Sequence, residues 1–133
     1  MEVIMFTDGG SRGNPGPAAI GVVIKDASEK TIQKIGKYIG ESTNNDAEYK
    51  ALIEGISALK KTEATSVKCY LDSELVVKQL NGLYKVKNEN IKIHWKKIKE
   101  LEKGFEKITY SHIRREKNTE ADAIVNEVLD STV

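Results

Sequence analysis

A single cysteine, Cys69, stands in the 133-residue chain, which excludes an intramolecular disulfide framework and a cysteine-based zinc cluster. Its setting in the apolar run Val67-Lys68-Cys69-Tyr70-Leu71 reads as that of a small buried hydrophobe rather than a reactive thiol, and it fits a reducing compartment. No apolar stretch is long enough to cross a bilayer. The N-terminal run Met1-Glu2-Val3-Ile4-Met5-Phe6-Thr7-Asp8 has no basic leader and meets an acid after a few apolar residues, so it reads as a strand and not a signal peptide. A cytoplasmic location is the expectation. Internal repeats, low-complexity tracts and linkers are also missing, and the length suits a single domain, 1–133, that buries a core without staples. Nor is there a dominant charge: 21 basic against 20 acidic residues leave +1, so affinity for nucleic acid must come from where charges sit.

What is there is a clear succession of elements. Val3 to Thr7, Ala18 to Ile24 and Thr31 to Ile39 are strand-like, separated by the Gly-rich turn Gly9 to Pro17 and the polar turn Asp26 to Lys30. Thr43-Asn44-Asn45 offers N-cap chemistry before a helix over Ala47 to Lys61, where Ala51 or Leu52, Ile56 and Leu59 recur at helical spacing. Val67 to Leu71 reads as a buried strand, and Ser73 can cap a helix with Val76, Val77 and Leu80 on its apolar face. A Lys-rich helix follows, with Ile91, Trp95, Ile98 and Leu101 or Phe105 on one face, and Trp95 reads as core. Ile108 to Ile113 is a last strand, Arg114 to Asn118 a polar loop, and Thr119 a cap for a final helix carrying Ala121, Val125, Val128 and Leu129. The order βββαβααβα implies an α/β fold: an antiparallel meander of strands 1 to 3 joined to parallel strands, with helices on the faces of a mixed sheet.

Four acids stand out by position. Asp8 and Asp72 each follow a buried strand, at the edge where ligands of α/β sheets gather. Alternation puts Asp8 on the face of Ile4 and Phe6, a poor place for an uncompensated charge. Glu48 falls in the first turn of its helix on the stripe of Leu52, Ile56 and Leu59, and Asp122 in the first turn of the last helix. Singly, Glu48 and Asp122 are equally explained by the helix dipole. Brought together, the four would repel unless cations were bound, and oxygen-only ligands suit Mg²⁺ or Mn²⁺. Two such ions roughly 4 Å apart can clamp a phosphodiester.

At these residues the sequence resembles the type 1 ribonuclease H family over nearly its whole length. Four blocks stand in family order: Thr7-Asp8-Gly9-Gly10-Ser11-Arg12-Gly13-Asn14-Pro15-Gly16, Thr43-Asn44-Asn45-Asp46-Ala47-Glu48, Leu71-Asp72-Ser73 and Asn118-Thr119-Glu120-Ala121-Asp122. The resemblance implies a ribonuclease H-like fold with a five-stranded mixed sheet, in which strands 1 to 3 are antiparallel and strands 1, 4 and 5 parallel. It implies hydrolysis of the RNA strand of RNA–DNA hybrids to 5′-phosphate and 3′-hydroxyl ends. Asp8 would bridge two ions, Glu48 and Asp72 would complete one site, and Asp122 would help hold the ion next to the attacking water. The resemblance also assigns substrate contacts. Gly10 and Ser11 lie in a loop that backbone and substrate can approach closely, and Asn14, Asn44 and Asn45 look toward 2′-hydroxyls in the minor groove. Thr43 matches a residue that holds a DNA-strand phosphate. Turn chemistry for Asn14 and capping for Thr43 and Asn44 are the plain alternatives.

The chain departs from the family pattern in places. His112 falls within a strand, too early for the catalysis-assisting His of many members, so it reads as structural; Arg115 aligns better with that loop position and is expected to help handle phosphate or product. Lys85 and Lys87 are the strongest phosphate-contact candidates of the densest basic stretch. Glu74 replaces an amide that many members carry after Asp-Ser, which puts one minor-groove contact in doubt. The expected form is a short monomer with no N-terminal hybrid-binding domain, no obligate protein partner and modest substrate affinity. Two other readings stay open: a nuclease-fold protein that binds without cutting, and a nuclease for double-stranded RNA or RNA–DNA junctions.

Overall fold

The computed structural model describes residues 1–132. Within them the chain runs β1 (Glu2–Ser11), β2 (Gly16–Asp26), β3 (Thr31–Ser42), α1 (Asn44–Leu59), β4 (Ser66–Leu71), α2 (Glu74–Leu80), α3 (Glu89–Glu102), β5 (Lys107–His112), a short 3-10 turn at Arg115–Lys117, and α4 (Thr119–Ser131). The sheet order is β3-β2-β1-β4-β5. The β1–β2 and β2–β3 pairs are antiparallel, and β1–β4 and β4–β5 are parallel, as the connections require.

The helices cover both faces. Val3, Met5, Val67 and Leu71 of the strands pack with Leu52, Ile56, Val76 and Ile98 in the main core; Ala19 with Val125 and Leu129 forms a smaller core under α4. Trp95 packs partly buried against the main core and donates its indole N–H to the Gln79 carbonyl at 3.2 Å, the core role its spacing implies. Two glycines let helices sit on strand backbone. A Cβ on Gly9 would lie 2.3 Å from the Ala47 carbonyl carbon and oxygen in α1, and one on Gly21 would lie 2.4 Å from the Ala121 oxygen in α4.

Several boundaries differ from the sequence reading. Gly9, Gly10 and Ser11 belong to β1, paired with Ile20, Ala19 and Ala18, so the turn shrinks to the residues after Ser11 and before Gly16. Pairing with a neighbour overrides the weak strand preference of glycine. Thr43 caps α1 by accepting from the Asp46 N–H at 3.1 Å, which brings Asn44 and Asn45 into the helix instead of leaving it to start at Ala47. α3 ends at Glu102, so Phe105 reaches the core from the following turn. Ser73 does cap α2. Thr119 does not cap α4: it is the first helical residue, and Asn118 holds the cap position. His112 ends β5, exposed, with Nδ1 4.0 Å from Glu74 Oε2. Among the described residues no helix is long and apolar enough to cross a membrane.

Candidate active site

The acids meet where the central strand outruns its neighbour. Pairing of β1 with β4 stops at Phe6 and Tyr70, whereas pairing with β2 continues to Ser11. Asp8 therefore lies within β1, just past the last residue paired to β4, rather than at the end of the strand. Asp72 follows the last residue of β4 and faces the same edge. Glu48 is held from the other side: its Oε1 accepts the Gly9 N–H at 2.5 Å. Because α1 begins at Asn44, Glu48 lies beyond the first turn, where Asp46 is the acidic residue. Helix-dipole electrostatics thus falls to Asp46 and does not explain Glu48.

One carboxylate oxygen from each of Asp8, Glu48 and Asp72 lies within 4.8 Å of the others. Asp122, in the first turn of α4, stands outside that trio but lines the same cleft of about 420 Å³. Asp8 is 8% exposed and Glu48 7%. Burial first, then the Asp72 charge, pushes Asp8 up to about 7, with Asp122 adding to the effect. Glu48 is raised well above the usual carboxylate range, by burial first and by Asp8 second. Its Oε2 is buried and, among the described residues, has no hydrogen-bond partner. An all-oxygen donor set, crowded enough to resist ionisation and with an oxygen to spare, fits a hard divalent cation such as Mg²⁺ or Mn²⁺.

The proposed substrate-contact residues divide into groups. Ser11 donates from its N–H (2.9 Å) and Oγ (3.1 Å) to Asn44 Oδ1, and the Asn44 N–H donates to Asn14 Oδ1 at 3.0 Å. Asn44 therefore ties β1 to α1 instead of capping the helix, while the amide nitrogen of Asn14 keeps its donors for other partners. Gly10, Ser11, Asn44 and Asn45 line the acidic cleft. Asn14, Thr43 and Asn45 line an adjoining groove with Asn88 and His94, so Asn45 belongs to both. Lys85 lines a separate groove with Tyr84 and Trp95, and Lys87 stands exposed in the same loop between α2 and α3. Glu74 pairs with Lys78 at 3.0 Å, which holds its carboxyl below the ordinary value.

Arg115 lines the acidic cleft, with Nη2 3.7 Å from Asp122 Oδ1 and its side chain 81% exposed. An exposed pair of this length adds little to stability. Arg115→Ala is expected to leave the urea midpoint unchanged and to lower single-turnover cleavage by no more than about tenfold, roughly 1.4 kcal/mol of barrier; a thousandfold loss would make it indispensable.

Sequence reasoning missed three side chains at the cleft. Asn126 donates to Asp122 Oδ2 at 3.3 Å, and its spacing four residues on in a helix was a readable signal. Arg12 lines the cleft and binds Asp130 at 2.6 Å, a contact across the fold that no local pattern announces. Asn118, read as a loop end and as the first residue of the last family block but given no role, is 1% exposed and bonded into the site.

A sheet of order 3-2-1-4-5, parallel through its last three strands, with carboxylates clustered at one edge, defines the ribonuclease H fold. Residues 6–128 match the family described as reverse transcriptase-like. Ribonuclease HI of Halobacterium salinarum is 38% identical over 129 residues, covering 97% of this chain and 65% of that protein. The crystal structure of the RNase H1 of that archaeon superposes with a TM-score of 0.96 at 37% identity, covering 98% of this chain and 99% of that one. LC11-RNase H1, isolated from compost and crystallised with an RNA/DNA hybrid, is 44% identical with a TM-score of 0.93 over 98% of both chains. A bifunctional protein of Mycobacterium tuberculosis is 40% identical over 132 residues, 98% of this chain but only 36% of that protein. The chain thus spans about a third of that relative's length. It belongs to the type 1 ribonuclease H family.

Proposed function

We propose that this chain is a metal-dependent endoribonuclease, a single domain over residues 1–133, that hydrolyses the RNA strand of RNA–DNA hybrids and leaves 5′-phosphate and 3′-hydroxyl ends. The observation that carries the reading is the trio Asp8, Glu48 and Asp72, with oxygens within 4.8 Å of one another in a cleft walled by Gly10, Ser11, Asn44 and Asn45. The RNA/DNA hybrid in the crystal of LC11-RNase H1 supports the substrate class. The three acids, with Asp122 beside them, would hold Mg²⁺ or Mn²⁺, two ions once substrate is in place. Such ions, when bound, stabilise charge on the phosphate and make water nucleophilic at neutral pH.

The protein's own groups supply the rest. The Gly9 N–H fixes Glu48 through one oxygen and leaves the second for the cleft. The Ser11–Asn44–Asn14 chain holds the strand, helix and loop that meet the minor groove, where Asn14 and Asn45 present donors and acceptors to 2′-hydroxyls. Thr43 offers its hydroxyl to a DNA-strand phosphate, and Lys85 and Lys87 add phosphate contacts and salt dependence. A reducing compartment is consistent with the lone buried cysteine, and a cytoplasmic monomer is the form we propose.

The test is one assay of labelled RNA–DNA hybrid, double-stranded RNA and double-stranded DNA in Mg²⁺ and in Mn²⁺, with Asp72→Asn alongside. Hybrid cleavage by the wild type, lost in the variant, is expected. Binding without cleavage in either metal would overturn the enzymatic reading, and preference for double-stranded RNA would overturn the substrate.

A further inference from the structure

Asn118 holds the N-cap position of α4, yet its side chain is spent elsewhere. Among the described residues it makes no side-chain cap bond to the helix. Its Nδ2 donates to the Thr7 carbonyl oxygen at 2.8 Å and reaches Asp72 Oδ2 at 3.5 Å. A backbone carbonyl and a carboxylate accept only, so the amide nitrogen must face them. Its backbone carbonyl accepts the Asp122 N–H at 3.1 Å. One residue therefore touches the main chain next to Asp8, the carboxylate of Asp72 and the amide of Asp122. Its Oδ1 is buried and, among the described residues, without a partner, a costly arrangement for a residue whose only task is to start a helix. Ser, Thr or Asp would do that task with a cap bond.

We propose that Asn118 is a positioning residue for the reaction: its amide sets the separation of Asp8 and Asp72 and aims the Asp72 carboxylate into the cleft. This rests on the metal-site reading above. A group that orients a ligand controls affinity and turnover more than folding, and its removal typically costs about 10–100-fold.

Two variants test it, with Mn²⁺ for thermal stabilisation, hybrid for turnover and Mg²⁺ for the wild-type amide signals. Asn118→Ser keeps a hydroxyl suited to capping but lacks the amide's reach, and Asn118→Ala removes the side chain. For Asn118→Ser we expect metal-free melting close to wild type, and a Mn²⁺ concentration for half-maximal thermal stabilisation raised about 10–100-fold. Hybrid kcat should fall by a similar factor while KM moves by less than about twofold. A wild-type Mn²⁺ midpoint and kcat in either folded variant overturn the proposal. So does a metal-free loss of stability that Ser restores together with turnover, since that is capping. If neither variant folds, the Asn118 side-chain amide signals of the wild type decide. They should shift with Mg²⁺ at the midpoint of metal-induced stabilisation, and signals that stay put overturn the proposal. A wild type that neither binds Mn²⁺ nor cuts hybrid sinks the functional reading as well; a competent wild type with unaltered variants sinks this inference alone.

Discussion

Asp8→Asn is expected to abolish hybrid cleavage, by at least about a thousandfold or roughly 4 kcal/mol of barrier, while making the metal-free protein harder to unfold at neutral pH. Both effects have one cause. Asp8 is pushed up to about 7 from an ordinary 3.8 because burial and the Asp72 charge oppose its ionisation. Below the unfolded value both states hold the proton and the site costs nothing. Between about 4 and 7 the unfolded chain gives up its proton while the folded one keeps it, so stability falls as pH rises; above about 7 the penalty is complete. For Asp8 it is on the order of 4 kcal/mol. Glu48 is raised too and acts in the same direction. Urea unfolding from pH 4 to 8 in chelator should show wild-type stability declining and a shallower decline in Asp8→Asn. Saturating Mg²⁺ should reverse the slope in the wild type only. A pH-independent wild type without metal, or full cleavage by Asp8→Asn, would contradict the electrostatic account.

Gly9→Ala should be among the most damaging single methyl additions to the described residues. Its Cβ would sit 2.3 Å from the Ala47 carbonyl carbon and oxygen and 2.6 Å from the Glu48 nitrogen, all backbone of α1. No side-chain rotation relieves such a clash; the helix must move off the strand. We expect at least about 3 kcal/mol of destabilisation, the upper end for overpacking. Cleavage should be lost in whatever remains folded, because the Gly9 N–H to Glu48 bond spans the same contact. Gly10→Ala is the control, since its Cβ would meet only Val125 Cγ1 at 3.7 Å, an ordinary contact. Chemical denaturation of the pair should separate them clearly. Equal stabilities would mean that α1 is not seated as closely as described.

Alternation and helical spacing were enough to read the order of elements, the mixed sheet and the placement of the acids, because burial writes its period into the chain. The ends were less legible. β1 continues through Gly9 and Gly10, residues that read as a turn, because β2 supplies pairing partners that lie nine to eleven residues on. The start of α1 was set by a cap whose acceptor is visible in the sequence, at Thr43, and which nonetheless drew Asn44 and Asn45 into the helix. The four carboxylates were legible through position and resemblance, but the groups that hold them were not. Asn118 reaches back 111 residues to the main chain beside Asp8, and Arg12, a cleft residue that binds Asp130 and none of the four acids, acts across 118; no local period encodes such contacts.

The way β1 outruns β4 bears on how the site opens. Past Phe6 the central strand has lost its parallel neighbour, and two of its amides are taken up by side chains: Gly9 donates to Glu48 and Ser11 to Asn44, both on α1. The first turns of that helix serve as a surrogate strand. Hydrogen exchange at these two amides should therefore follow fraying of the helix start, not opening of the sheet, and should slow when Glu48 is immobilised by a cation. The segment nearest the chemistry would then be a separate, ligand-tightened unit of local unfolding within an otherwise continuous sheet.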